Sequence, residues 1–190
     1  MKPIRNLTVI STFVLALAIS CNKDTDDPNV IYAAINKTIT ASNPTKIDSF
    51  DINLDTRTDF GILAGRSSTG DTIVCYMTGV DVQVCYIDST RHLGIAYDVK
   101  PLSKNEAPEL VSTAKRWNRA AFLGAKFGTD IYGVAGSGDK FVPVVLRNLL
   151  TNKNHYGWVR INVSADFTTL KIIDAAYNVV PEIPVKMGVH

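Results

Sequence analysis

Beyond residue 30, apolar and polar residues alternate along most of the chain with a period of two, the pattern of strands that bury one face. Clusters of Gly, Asn, Asp and Ser separate these segments and predict turns. The predicted strands cover residues 30–36, 47–54, 60–64, 73–77, 82–87, 93–97, 131–134, 141–146, 157–163 and 170–174. Many short strands with regular turns indicate an all-β fold, and we expect an antiparallel β-sandwich or jelly roll.

One segment departs from this pattern. Ser103 and Glu106 have the spacing of a helix capping box, which predicts one short helix over residues 107–114. Strands and helices do not alternate as they would in a parallel sheet, and no internal repeat is visible. We therefore expect residues 30–190 to form a single β-sandwich domain.

The first twenty residues have the composition of a secretory signal peptide. Lys2 and Arg5 precede an apolar run that is too short to span a bilayer comfortably. The following Ser20-Cys21 resembles the lipobox of bacterial lipoproteins, which implies that Cys21 is lipidated and becomes the mature N-terminus. The alternative is a cysteine that merely follows an ordinary cleavage site.

Residues 21–29 are polar and acidic and include Pro28, which predicts a flexible tether. This segment resembles the one behind the lipidated cysteine of surface-exported lipoproteins of the Bacteroidetes type. The resemblance implies an exported protein that is anchored by lipid to the cell envelope, in the outer membrane and facing the surface.

Removal of the leader changes the charge balance. The chain has 20 Lys and Arg and 18 Asp and Glu, and the leader contains two of the bases and none of the acids. The remaining 170 residues therefore have 18 charges of each sign, and no basic stripe remains to attract nucleic acid. The membrane, reached through the lipid, is the partner that these features predict.

Two further cysteines, Cys75 and Cys85, lie in two adjacent predicted strands. A hairpin centred on Val80 would place them opposite each other, which allows a cross-strand disulfide in an exported protein. The alternative is a pair of buried free thiols.

The segment FDINLDTRTDF (50–60) places acids and an amide at every second position. Asp51, Asn53, Asp55 and Asp59 fit positions 1, 3, 5 and 9 of a calcium loop, but Thr56 and Ile62 replace the required Gly and Glu. A strand, a turn near 55–58 and a returning strand explain the same pattern. The hairpin is the preferred interpretation, and a calcium site at these four residues is the only metal site that the sequence suggests.

The two ends of the domain resemble a group of exported bacterial β-domains that often carry a PEP-CTERM sorting tail. The first segment is similar to its DxNxDGxxDF hairpin, with Thr56 in place of the usual Gly. The second is similar to its HYGW ending, at His155, Tyr156, Gly157, Trp158, Ala176, Tyr177, Pro181, Pro184 and Gly188. Asn178 replaces the usual acid, and the chain ends without the sorting tail, so a lipidated Cys21 would take over the anchoring. The group has no general activity, so the resemblance implies location and fold more than function.

Aromatic residues are the candidate ligand contacts. Tyr156 and Trp158 fall on one face of a predicted strand, and Trp117 lies among three basic residues. These rings either stack on a sugar or pack beneath a loop. The three histidines lack metal-ligand spacing, and no nucleophile elbow or phosphate loop occurs.

We therefore expect a non-catalytic envelope lipoprotein without a cofactor, whose β-domain binds a glycan or a protein partner. Two alternatives stay open: an accessory glycan-acting hydrolase whose site the sequence does not reveal, and a purely structural envelope protein.

Overall fold

The structure is a computed structural model that describes residues 27–81, 83–94, 96–108 and 117–190. Within these residues the protein contains strands and no helix, which confirms the all-β part of the predicted fold class. Its strands are β1 (Val30–Thr40), β2 (Lys46–Phe50), β3 (Phe60–Arg66), β4 (Thr72–Gly79), β5 (Val84–Leu93), β6 (Ala96–Val99), β7 (Trp117–Asn118), β8 (Ala120–Phe127), β9 (Asp130–Gly133), β10 (Lys140–Asn148), β11 (Lys153–Val163) and β12 (Thr169–Asn178).

Some predictions fall outside this part of the chain. The leader, Cys21 and residues 22–26 of the tether lie outside the described residues. The predicted helix lies mostly outside them as well: Ala107 and Pro108 are irregular, and residues 109–114 are not among those described.

The described strands form one hydrogen-bonded sheet that curls until its edges approach each other. Their order is β1-β12-β11-β10-β5-β6-β8-β4-β3-β2, with β7 beside β5 and β9 beside β8. The β6–β8 pair is parallel, and the other pairs are antiparallel. At the gap, Lys37 on β1 and Asp48 on β2 form an ion pair with an N–O distance of 2.7 Å. The sheet is large and nearly closed, and this topology does not confirm the finer prediction of a two-sheet sandwich or jelly roll.

One apolar core fills the inside of the curled sheet, and β11 shows how the sequence builds it. Val159, Ile161 and Val163 alternate onto the inner face and are buried in this core. Trp158, on the outer face, packs instead with Val185 and Met187 of the C-terminal segment. The alternation along β11 thus serves two separate apolar clusters, and both faces of the strand are covered.

The ends of the strands define two ends of the molecule. Val30 pairs with Asn178, and the adjacent β11 pairs Gly157 with Tyr177, so the start of β1 lies beside the start of β11. The β10–β11 turn and the loop between β2 and β3 lie at this same end, which we call the Val30 end. The β3–β4, β8–β9 and β11–β12 turns lie at the opposite end.

Candidate functional site

The loop between β2 and β3, residues 51–59, is held by its own acidic and amide side chains. Asp51 accepts hydrogen bonds from the backbone N–H groups of Leu54 and Thr56, at 2.7 and 2.8 Å. Asn53 and Asp55 each accept one from the backbone two residues later, at 3.0 and 2.8 Å. The Asn53 and Asp55 bonds form Asx turns, and all four bonds satisfy amides that a strand would otherwise pair. The predicted hairpin is confirmed, although β2 ends at Phe50, opposite Phe60, rather than at Leu54.

Asp59 is the last residue of this loop, and its side chain binds the backbone near the start of the loop. Its side chain is buried, and Oδ2 accepts hydrogen bonds from the N–H groups of Ile52 at 2.8 Å and Asn53 at 3.4 Å. Burial raises the pKa of Asp59 to about 6; the two backbone hydrogen bonds oppose this shift, and the nearby charges of Asp51 and Asp55 add to it. Asp59 therefore exchanges its proton much closer to neutral pH than an ordinary aspartate does.

The loop geometry does not support the calcium interpretation. Oxygens of Asp51, Asn53, Asp55 and Asp59 already accept backbone hydrogen bonds within the loop. Across the described ranges, no group of three or more His, Cys, Asp or Glu side chains is placed to hold a metal ion. The calcium site stays a prediction, and the hydrogen bonds explain the spacing of the acids without it.

A cleft of about 620 Å³ opens beside this loop, at the Val30 end. One wall is formed by the loop itself, from Asn53 to Asp59, and the facing wall by the end of β10 and the turn that follows it, residues 146–150. His155 and Tyr177 contribute from β11 and β12. Two other cavities, of about 310 and 340 Å³, are smaller and more open. The cleft is thus the largest of these concave surfaces, and it includes part of the candidate calcium loop.

Charged groups of both signs line the cleft. Asp55 and Asp81 contribute carboxylates, and Arg57 and Arg147 contribute guanidinium groups. All four side chains are exposed, so a ligand that binds them displaces water and breaks no buried ion pair. The cleft therefore offers both acceptors and donors of hydrogen bonds at its surface.

An imidazole and a phenol ring complete the lining. His155 Nδ1 lies 3.0 Å from the backbone oxygen of Asn178, and since a carbonyl only accepts, Nδ1 carries the proton. Tyr177 is half-buried; burial raises the pKa of its phenol, and the charges of Asp59, Asp55 and Asp51 raise it further. Tyr177 thus keeps a neutral hydroxyl at the lining of the cleft.

The aromatic residues predicted as ligand contacts are packed to different extents. Trp158 is 1% exposed, donates from Nε1 to the backbone oxygen of Val189 at 3.2 Å, and meets the Phe141 ring edge-on at 5.2 Å. Tyr156 is also buried. Trp117 is half-buried and packs against Tyr86 and Tyr156, with ring centroids 4.9 and 6.1 Å away. The burial of Tyr156 and Trp158 does not support a ligand platform at these two residues, and packing, the other interpretation, explains both.

The predicted pairing of Cys75 with Cys85 is wrong. Cys75 on β4 pairs with Ala64 and Gly124, whereas Cys85 on β5 pairs with Val144 and Asn118. Two strands, β8 and β6, separate β4 from β5 in the sheet, so the assumed hairpin does not form. Both thiols are free and buried, which was the alternative interpretation.

Most cleft residues were not predicted from the sequence. His155 and Tyr177 lie within the segment that resembles exported β-domains, which was the one available signal for them. Arg147 and Asp81 are ordinary turn residues by sequence, and only the strand order brings them beside the Asp59 loop.

Comparison with models of protein families, with curated proteins and with solved structures finds no match for this chain. The resemblance to lipoproteins and to exported β-domains therefore stays a prediction. In the described part of the chain, no helix has the length and apolar character needed to cross a bilayer.

Proposed function

We propose that this chain is a lipid-anchored cell-envelope protein whose β-domain binds a glycan in the cleft beside the Asp59 loop. The observation that carries the proposal is the cleft: about 620 Å³ of concave surface with acids, guanidinium groups, an imidazole and a half-buried tyrosine ring. Ligand sites are typically concave, with a few convergent polar groups that fix orientation.

The lining matches the chemistry of a sugar. Each hydroxyl of a sugar both donates and accepts, so carboxylates such as Asp55 and Asp81 pair with its donors and Arg147 pairs with its acceptors. The ring of Tyr177 offers an apolar face for the C–H side of a pyranose. Mixed charge also favours a neutral, hydroxyl-rich ligand over a polyanion, because neither sign prevails in the cleft.

The anchor is the second part of the proposal. The signal-like leader and the Ser20-Cys21 pair support lipidation at Cys21, and the acidic tether supports display at the outer surface of the outer membrane. A Cys21→Ser variant should leave the membrane fraction. Mass spectrometry of the mature wild-type protein should show acyl chains on the peptide that begins at residue 21. An unmodified Cys21 in a processed chain would contradict the anchor and leave the cleft proposal standing.

A glycan array with the mature protein in detergent tests the cleft. We expect binding that falls at least ten-fold in Arg147→Gln and in Asp81→Asn, since each removes a charged contact in the cleft. Arg66→Gln and Asp71→Asn are matched controls at the opposite end and should bind as wild type. Binding lost only in Trp117→Ala would move the site to the Trp117–Tyr86 cluster, and a blank array would contradict glycan binding.

Hydrolysis of a glycan is the second candidate, favoured by the raised pKa of Asp59, about 6, at the cleft. A general acid must hold its proton near neutral pH, and glycoside hydrolysis pairs such an acid with a second carboxylate. Release of reducing ends from bound glycans, abolished in Asp59→Asn and retained in Asp71→Asn, would establish hydrolysis. Binding without any release would support the non-catalytic proposal.

A further inference from the structure

The turn between β10 and β11 presents two leucines to the outside. Leu149 is 63% exposed and Leu150 is 97% exposed. The turn is not loose: the Asn148 side chain accepts hydrogen bonds from the N–H groups of Leu150 and Thr151, at 2.9 and 3.2 Å. Asn152 accepts from the Arg147 guanidinium, with a distance of 3.1 Å to Nε. Polar side chains thus fix a turn whose tip is apolar, at a site where turns are normally polar.

Other exposed apolar residues cluster at the same end. Leu54 projects from the loop beside the cleft and is 61% exposed. Val179 and Ile183, which follow β12, are also exposed. The backbone N–H of Glu182 donates to the oxygen of Asn154, which places the segment around Ile183 beside the start of β11. The leucine tip is therefore the most prominent part of an apolar surface at the Val30 end.

The opposite end has a different composition. Its turns consist almost entirely of Ser, Thr, Gly and Asp, as in residues 67–71, 128–129 and 136–139. In the β11–β12 turn, residues 164–168, the one large apolar side chain is Phe167, and it is buried. Ile131, which follows the β8–β9 turn, is 53% exposed, so the ends differ in degree: the turns of the opposite end are polar, whereas the tip of the β10–β11 turn is apolar.

Val30 itself lies at the apolar end, and this fixes the direction of the tether. Asp27 is the first described residue, and the backbone N–H of Val30 donates to its oxygen at 2.8 Å. Six residues, 21–26, separate Asp27 from the end of the leader, and they span about 20 Å at most when fully extended. A lipid on Cys21 therefore holds the Val30 end within that distance of the bilayer.

We infer that the Val30 end docks on the bilayer that holds the anchor, with Leu149 and Leu150 inserted at the boundary between headgroups and acyl chains. Exposed Lys153 follows the leucines at the end of the same turn, where a basic side chain beside inserted apolar residues can meet lipid phosphates. This inference rests on the proposed function, because it takes the lipid on Cys21 as the anchor.

The test measures how deeply the tip lies in the membrane. The lipidated protein is reconstituted into vesicles of phosphatidylethanolamine with a minor fraction of phosphatidylglycerol, and an environment-sensitive fluorophore is attached through Thr151→Cys. Ser68→Cys, in an exposed turn at the opposite end, is the matched control. Labelling is selective, because Cys75 and Cys85 are buried and Cys21 carries the lipid. Quenching by nitroxide-labelled lipids reports insertion.

We expect the label at residue 151 to be quenched several-fold more than the label at residue 68. Replacement of both leucines by serine should remove most of that difference without unfolding, since both side chains are exposed. Equal quenching at the two positions, or quenching that persists without the leucines, would overturn the inference. Energy transfer between labels on two copies, lost in the leucine variant, would identify a second copy of the chain as the occupant instead. Acylation is confirmed by mass before reconstitution, so a missing anchor is distinguished from a failure to dock.

Discussion

The carboxylate of Asp59 accepts a hydrogen bond from the backbone N–H of Ile52 at 2.8 Å, and this contact holds the β2–β3 loop against the core. Ile52 is completely buried there, and Asp59 is only 3% exposed. An acid at this position experiences two opposing effects: loss of water disfavours its charge, while the backbone donors favour it. Burial is the larger effect, since the pKa of Asp59 rises to about 6.

The raised pKa predicts how stability depends on pH. The folded protein holds the Asp59 proton more tightly than the unfolded chain, so the stabilisation is fully present below about pH 4 and is lost as pH rises through about 6. A rise in the pKa of Asp59 from 3.8 to about 6 corresponds to about 3 kcal/mol of unfolding free energy. Asp59→Asn should therefore be more stable than wild type near neutral pH, by up to about 3 kcal/mol, and equal to it near pH 4. Urea unfolding across this range measures the difference.

The control for Asp59 is Asp71→Asn, in an exposed turn at the opposite end. It should follow the wild-type pH profile within about 0.5 kcal/mol. If Asp59→Asn also followed that profile, Asp59 would not titrate between these pH values, and its role as the acid of a hydrolase would lose its support.

Thr56 adopts a backbone conformation that suits glycine. Its φ is +73°, in the left-handed region, where a β-branched residue is strained. Glycine removes a strain of about 1–3 kcal/mol from the folded state. Its greater freedom in the unfolded chain opposes this by about 0.5–1 kcal/mol. Thr56→Gly should therefore stabilise the protein by about 1 kcal/mol. The hydrogen bond from its N–H to Asp51 is retained, because it uses only the backbone. Thermal unfolding measures the change.

Thr58→Gly is the matched comparison, two residues further along the same loop. Thr58 is not among the described residues with positive φ, so its substitution relieves no such strain and should cost about 0.5–1 kcal/mol. Equal destabilisation by both substitutions would show that Thr56 is not strained.

Arg160 on β11 and Asp174 on β12 form a bidentate ion pair, and Tyr32 also binds Asp174. Arg160 Nε lies 3.0 Å from Asp174 Oδ1, and a second guanidinium nitrogen contacts Oδ2. The Tyr32 hydroxyl donates to the same Oδ2 at 2.9 Å. Asp174 is buried, so Arg160→Met leaves its charge with one hydroxyl partner and should cost about 3 kcal/mol at neutral pH.

A double substitution separates the value of this pair from the cost of breaking it. Arg160→Met with Asp174→Leu removes both charges and should recover most of the lost stability, as measured by urea unfolding. Lys37→Met, which breaks the more exposed pair with Asp48, should cost no more than about 1 kcal/mol. A double variant as unstable as Arg160→Met alone would contradict this account.

The sequence predicts strands best where apolar and more polar residues alternate along the strand. The alternation in 157–163 marks β11 and its two faces correctly. Gly157 in this strand also has a physical reason: a Cβ there would lie 2.4 Å from the backbone oxygen of Ala176. By contrast, β8 reads AAFLGAKF and is buried on both faces, so it lacks the alternation that identifies a strand.

Two details of the prediction are wrong: the extension of the β2 strand to Leu54, and the hairpin that would pair Cys75 with Cys85. The period of two continues past Phe50, but there it reflects side chains that cap the loop rather than a strand. The short connection after Gly79 suggests a hairpin, yet β4 and β5 pair with other strands. The cleft also depends on the strand order, since residues as distant as Asp55 and Tyr177 meet only after the sheet has curled.

The two buried thiols provide a final prediction that also reports on Cys21. Cys75 and Cys85 donate to the backbone oxygens of Phe167 and Asn118 at 3.2 and 3.3 Å, and burial raises the pKa of each thiol to about 12. Since the thiolate is the reactive form, neither should react with a thiol reagent near pH 8 until the protein unfolds. In denaturant the lipidated protein should titrate two thiols, because the third of its three cysteines is blocked as a thioether. Three reactive thiols would show that Cys21 is unmodified. If no thiol reacted, Cys75 and Cys85 would form a disulfide, which would contradict the strand order.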